Sequence, residues 1–232
     1  MNKYQITKII EDYAPLDLQE KWDCSGWLVE TDKQNVEKVM LCLTVTDDIV
    51  KQAKTNNCDM IISHHPLFSI DTRKISKDFQ PLLDIYCAHT NMDRTQGGTT
   101  DTLIKNLQFD VSESSDFVRY VDLEIGLEEL TKKLCKISNN VRVINNKNAS
   151  HFHKIAFCAG SGSEFIQEAK ENNADVFITG DIKFHTATDS NIVLFDIGHF
   201  ESEIFILNVF ADLLKNKVEV IFATEQSPFK SI

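Results

Sequence analysis

A strand-helix-strand signature occurs twice in this chain, and no other feature restricts its fold so strongly. Lys38-Val39-Met40-Leu41-Cys42 is matched 116 positions later by Lys154-Ile155-Ala156-Phe157-Cys158, and Gln52-Ala53-Lys54-Thr55-Asn56-Asn57-Cys58-Asp59 by Glu168-Ala169-Lys170-Glu171-Asn172-Asn173-Ala174-Asp175. Ile62 and Phe68 find Ile178 and Phe184 at the same offset. In the first copy, residues 39–43 are apolar and read as a strand. Thr46-Asp47-Asp48 offers an N-cap with acidic first-turn residues, and Ile49, Val50 and Ala53 form one helical face. The chain then passes Asn56-Asn57 into a second apolar run. Such a unit implies parallel pairing with a right-handed crossover. Two copies, where a solenoid needs three or more, predict an α/β protein of two related lobes.

The flanking segments fit that plan. Residues 3–12 place Ile6, Ile9 and Ile10 at helical spacing and stop before Pro15, which predicts a short amphipathic helix. Trp22-Asp23-Cys24-Ser25-Gly26-Trp27 reads as a turn leading into a strand; Asp23 could serve a site, but a turn cap is the commoner role of such an aspartate. Residues 127–138 read as a helix, 141–144 as a strand, and 145–150 (Asn-Asn-Lys-Asn-Ala-Ser) as a polar loop. That loop is the expected boundary between the halves, with a first lobe at 1–125 and a second at 126–232. A hydrophobic content of 42% is enough for a sizeable core. The N-terminus lacks a charged-then-apolar leader and no apolar run reaches membrane-spanning length, so a cytoplasmic protein is expected.

Composition also restricts the chemistry. The six cysteines are scattered without a CxxC pair, which indicates neither a disulfide framework nor a thiolate zinc site. A formal charge of −11 works against broad binding to a phosphate backbone. The turn Ala159-Gly160-Ser161-Gly162-Ser163-Glu164 is glycine-rich and opens onto a helix, so its backbone N–H groups could receive an anion. It completes neither a dinucleotide nor a P-loop pattern, and tight-turn geometry explains it as well.

Histidines and carboxylates gather where strands end. The run Met60-Ile61-Ile62-Ser63 stops at His64-His65-Pro66, and the carboxyl ends of strands are where ligands sit in open α/β sheets. Ile85-Tyr86-Cys87-Ala88 leads to His89 and Asp93, followed by Gly97-Gly98-Thr99-Thr100-Asp101. Val193-Leu194-Phe195-Asp196 leads to Gly198-His199, with Glu203 four residues on and an apolar helix at 204–214. His199 and Glu203 at i and i+4 across a helix start can face one point. Imidazoles from His64, His65 and His199 with carboxylates from Asp93 and Glu203 are donors that suit zinc, iron, manganese or nickel. Five such ligands exceed what one tetrahedral ion needs. Two divalent ions roughly 3.5–4 Å apart and sharing a carboxylate would use them all. His89 or Asp181 is a further candidate, as an acid/base.

Taken in order, Ser63-His64-His65-Pro66, His89-Thr90-Asn91-Met92-Asp93 with the following Gly-Gly-x-x-Asp, Ile178-Thr179-Gly180-Asp181-Ile182-Lys183 and Gly198-His199-Phe200-Glu201-Ser202-Glu203 resemble the NIF-three-like family, whose members are labelled GTP cyclohydrolase 1 type 2 homologues. Trp22-Asp23 and Cys158-Ala159-Gly160-Ser161-Gly162 also fit, and the match spans nearly the whole chain. The departure is Cys24, where asparagine usually follows the Trp-Asp pair. The resemblance implies a dinuclear metal site on His64, His65, Asp93, His199 and Glu203, lying between two α/β lobes. It also implies a toroidal homohexamer whose sites face an internal cavity, in a short form without an inserted domain.

A metal pair suits hydrolysis of an amide, a phosphoester or a ring amidine, so a hydrolase is expected, and the label of the family it resembles implies a nucleotide-like or cyclic amidine substrate. The alternative is a non-catalytic metal-binding or regulatory scaffold for partner proteins or nucleic acid.

Overall fold

Short runs such as Met60-Ile61-Ile62 carry no polar alternation, which suits strands covered on both faces. The computed structural model describes residues 1–66 and 83–230, and there these runs form parallel strands at the centres of two sheets. Phe68, one position of the repeat, lies outside the described residues.

The chain divides into two compact units: residues 1–98 with 206–226, and residues 99–205 with 227–232. The expected division at 125/126 does not coincide with this one, and the 145–150 loop falls inside the second unit. The reason is strand pairing, described below.

In the first unit, helix α1 (Lys3–Tyr13) is started by Asn2, whose side chain accepts from the Tyr4 N–H in a capping box with Gln5. Next come β1 (Gly26–Val29), β2 (Lys38–Cys42), α2 (Asp47–Thr55), β3 (Met60–Ser63) and β4 (Asp84–Cys87). As the sequence predicts, Thr46 caps α2 by accepting from the Ile49 N–H. Strands β2, β3 and β4 are parallel, and β1 lies antiparallel to β4. Met40, Ile49, Val50, Ala53, Ile61 and Ile85 are buried together between strands and helix.

Helices α3 (Thr90–Arg94) and α4 (Thr99–Asn106) follow, with the passage to the second unit between them. The second unit continues with β5 (Glu113–Ser114), β6 (Arg119–Gly126), α5 (Leu127–Leu134), β7 (Arg142–Ile144), β8 (His151–Phe157), α6 (Ile166–Glu171), β9 (Val176–Thr179), α7 (Phe184–Asp189), β10 (Val193–Asp196) and α8 (His199–Glu203). Strand order is β5-β6-β8-β9-β10-β7, with β8, β9 and β10 parallel and the other pairings antiparallel. Residues 99–126 belong to this unit because β6 pairs along β8. The chain then returns: α9 (Ile206–Leu214) and β11 (Glu219–Phe222) complete the first sheet, β11 lying parallel to β2 in the order β1-β4-β3-β2-β11. Alternate residues of the central strands serve opposite faces. Phe157, Ile178 and Phe195 join one buried cluster, and Ala156, Phe177 and Leu194 join the other.

The sequence repeat is a repeat of hydrogen bonds. Asp59 Oδ2 accepts from the N–H groups of Glu37 and Lys38 at 2.7 and 3.1 Å, and Asp175 Oδ2 from those of His153 and Lys154 at the same two distances. Asn57 and Asn173 adopt φ of +53° and +61°, the left-handed turn that asparagine tolerates better than most residues. Both carboxylates thus tie a strand start to the turn that ends the preceding helix. No helix among the described residues is long and apolar enough to cross a membrane.

Candidate metal centre

In the first unit the candidate donors leave the carboxyl ends of β3 and β4, which are neighbours in the sheet. His64 and His65 follow β3 directly, and His89 is two residues beyond β4 at the start of α3. One ligand atom each from His64, His65 and His89 lie within 4.8 Å of one another. Their rings are 5.0, 5.3 and 5.6 Å apart, centroid to centroid. One turn along α3, Asp93 Oδ1 lies 3.4 Å from His64 Nε2.

Each of these imidazoles is held through Nδ1. His64 Nδ1 is 3.0 Å from the Ala88 carbonyl oxygen, which requires the Nδ1–H tautomer. His65 Nδ1 is 2.7 Å from Thr44 Oγ1, at the exit of β2. His89 Nδ1 is 2.8 Å from Asp23 Oδ1. The Asp23 side chain has no exposed surface. It also accepts from the Cys24 N–H, the Ser25 hydroxyl, and the N–H and hydroxyl of Thr90. Burial opposes its charge, but the hydrogen bonds from His89 and Thr90 outweigh burial and hold the carboxyl well below the usual carboxylate range.

The second unit repeats the device with different residues. His199 opens α8, one turn before Glu203, and its Nε2 is 3.1 Å from Glu203 Oε2. Its Nδ1 is 2.7 Å from Asp181 Oδ2, just past β9. Burial works against an imidazolium here, yet hydrogen bonds to Asp181 and Glu203 push the His199 pKa up to about 10. Asp181 is lowered in turn, chiefly by that bond to His199. Two carboxylates flanking one imidazole make this a place for positive charge.

The glycine-rich turn after β8 serves Glu203. The N–H groups of Ala159, Gly160 and Gly162 donate to the hydroxyls of Thr100 (3.1 Å), Ser202 (2.8 Å) and Thr179 (2.8 Å), so three of the donors expected to receive an anion are used internally. Gly160 adopts φ +69°, and a Cβ there would lie 2.1 Å from Glu203 Oε1. The glycine leaves room for the carboxylate.

The donor set fits a divalent transition metal. Imidazoles oriented through Nδ1 by a carbonyl, a hydroxyl or a carboxylate are what histidine ligation requires, because the partner at Nδ1 sets the tautomer and ring direction of the coordinating Nε2. In the first unit His64, His65, His89 and Asp93 come together past the carboxyl ends of β3 and β4, and in the second His199, Glu203 and Asp181 come together past those of β9 and β10. Asp181 contacts His199 through Nδ1, the position of an orienting carboxylate. The sequence reading missed Thr44 and treated Asp23 as a turn cap, which it also is through Cys24 and Ser25. A signal for Asp23 was present in the Trp-Asp pair. Thr44 had none, since a threonine past a strand end is ordinary. His185, beside Lys183, is an exposed residue of α7.

Comparison with known proteins gives a consistent result. The family model described as Duf34/NIF3 (NGG1p interacting factor 3) matches residues 1–228. A "GTP cyclohydrolase 1 type 2 homolog" of Clostridium perfringens is 34% identical over all of both chains, and one of Campylobacter jejuni is 30% identical over 99% of each. Among solved structures, reduced HcgD from Methanocaldococcus jannaschii superposes with a TM-score of 0.82 at 25% identity, covering 96% of this chain and 97% of that one. A Bacillus cereus protein related to NIF3 superposes at 0.81 with 19% identity, covering 100% and 99%. The full-length family match and the relatives above 30% identity agree with the ordered motifs and the fold: this chain belongs to the DUF34/NIF3 family.

Proposed function

We propose that His64, His65, Asp93, His199 and Glu203 are ligands of two divalent metal ions. We further propose that the protein is a metal-dependent hydrolase acting on a nucleotide-like or cyclic amidine substrate. The observation that carries this reading is the Nδ1 bonding of the histidines: Ala88, Thr44 and Asp181 orient His64, His65 and His199 as a ligating imidazole must be oriented. The name shared by the curated relatives supports the substrate class. A ring-shaped homohexamer, implied by the family resemblance, belongs to the same proposal.

Bound metals would polarise an electrophilic carbon or phosphorus and lower the pKa of water. The chain's own residues supply placement. Asp93 and Glu203 bring negative charge to imidazoles that must be neutral to ligate. Asp181 acts as a positioning residue, accepting from His199 Nδ1–H so that the opposite nitrogen carries the lone pair.

Elemental analysis of protein purified without chelator tests the reading. About two ions per chain are expected, the number at which a metal pair is complete, and Asp93→Ala should lose metal. A value near zero that added Zn²⁺, Fe²⁺, Mn²⁺ or Ni²⁺ cannot raise would overturn it. Asp181→Asn should weaken metal affinity by about 10–100-fold, the usual loss when an orienting partner is changed. Competition against a chromophoric chelator measures this, and an affinity equal to the wild type would remove Asp181 from the centre.

A further inference from the structure

We infer that His89 is itself a metal ligand, so that the first unit presents a three-histidine face of His64, His65 and His89, and that Asp23 is the positioning residue that aims it. This rests on the metal-centre reading above but assigns a different residue and a different role. The sequence offered His89 as a proton donor or acceptor, and Asp23 as a turn cap.

Three observations carry the assignment. One ligand atom each of His64, His65 and His89 lie within 4.8 Å of one another, slightly wider than the span of about 4.2 Å open to two nitrogens on one ion with bonds of about 2.0–2.1 Å, so a small closure brings all three onto one ion. His89 is also bound to a carboxylate through Nδ1, as His199 is, and carboxylate-histidine pairs of this form are common behind metal ligands. Finally, His89 stands four residues before Asp93 across the start of α3, as His199 stands four before Glu203 across the start of α8. Each unit therefore has an i, i+4 pair of imidazole and carboxylate.

Asp23 is built for constancy rather than for proton exchange. Hydrogen bonds from five donors saturate its two oxygens, counting His89 Nδ1–H with those of Cys24, Ser25 and Thr90. A carboxylate so satisfied stays charged and keeps the proton on Nδ1, which leaves the Nε2 lone pair for a metal. A general acid or base would have to pass a proton at that same nitrogen, and ligation removes that freedom.

The test is Co²⁺ loading of the full-length protein, read by visible absorption and by paramagnetic ¹H NMR. Band position and intensity follow the donor set, and each ligating imidazole contributes one exchangeable, hyperfine-shifted N–H signal. His89→Ala should lose one such signal, change the absorption bands and weaken Co²⁺ affinity by more than about 100-fold, since changing an orienting partner alone costs about 10–100-fold. Asp23→Asn should retain the signal count but broaden or shift the His89 N–H and lower affinity by about 10–100-fold. Should His89→Ala fail to fold, the wild-type signal count and the Asp23→Asn spectrum still decide. An unchanged spectrum and affinity in His89→Ala would overturn the inference while leaving the metal-centre reading standing. A wild-type chain that takes up no Co²⁺ would overturn both.

Discussion

If Glu203 is a ligand as proposed, Gly160→Ala is expected to reduce metal affinity by more than about 100-fold, beyond the usual loss from changing an orienting group, because it displaces that carboxylate. The methyl would lie 2.1 Å from Glu203 Oε1 and 3.5 Å from His199 Nε2. A carboxylate at the end of a flexible side chain can swing away cheaply. The main consequence therefore falls on ligand position rather than on packing. A smaller share appears in stability, because φ of +69° disfavours a non-glycine residue by about 1–3 kcal/mol. Metal titration paired with thermal unfolding separates the two effects. Gly126→Ala provides the control, since its added Cβ meets nothing closer than 3.7 Å. Equal affinities for wild type and Gly160→Ala would show that Glu203 does not need that space.

The largest expected effect on stability lies elsewhere in the first unit, where Lys3 and Asp84 form an ion pair without solvent exposure on either side chain. Asp84 Oδ1 is 3.4 Å from Lys3 Nζ and accepts from the Thr31 N–H at 2.6 Å, while Lys3 Nζ also donates to the Thr31 carbonyl. Asp84→Ala leaves the buried ammonium with only the more exposed Glu30 carboxylate, 3.5 Å away, and removal of the buried partner of such a pair costs about 3–5 kcal/mol. Replacing both partners, as in Lys3→Met with Asp84→Leu, should recover much of the loss, because the desolvation cost of the pair disappears with it. Urea unfolding of the wild type and both variants measures this, and a loss below about 1 kcal/mol in Asp84→Ala would mean that the site admits water. Asp84 begins β4 (Asp84–Cys87) and His89 lies two residues beyond its end, so folding stability and the candidate site meet at the two ends of one four-residue strand.

Much of this protein was legible before any coordinates. The 116-residue offset carried with it matched turn carboxylates, Asp59 and Asp175, and matched left-handed asparagines, Asn57 and Asn173. Those features are local, set by one residue's backbone preference or by donors at nearby strand starts. The i, i+4 relation of His199 to Glu203 was likewise readable, because helical periodicity alone puts them on one side. The unit boundaries were not readable. The chain leaves each compact unit after a short helix, at 98/99 and 205/206, and no glycine- or proline-rich linker marks the second passage.

What the sequence determined by itself was which histidines and carboxylates follow which strand ends, since apolar runs must end where polar side chains begin. Tertiary structure alone decided what stands behind each imidazole. Asp23 reaches His89 across 66 residues, Thr44 reaches His65 across 21, and Asp181 reaches His199 across 18. These contacts exist because parallel pairing brings the carboxyl ends of neighbouring strands side by side, and because β1 lies antiparallel to β4 with the Asp23 turn just before it. Hydrogen bonds of that kind depend on strand order and register. Both emerge only when non-local apolar surfaces are buried together.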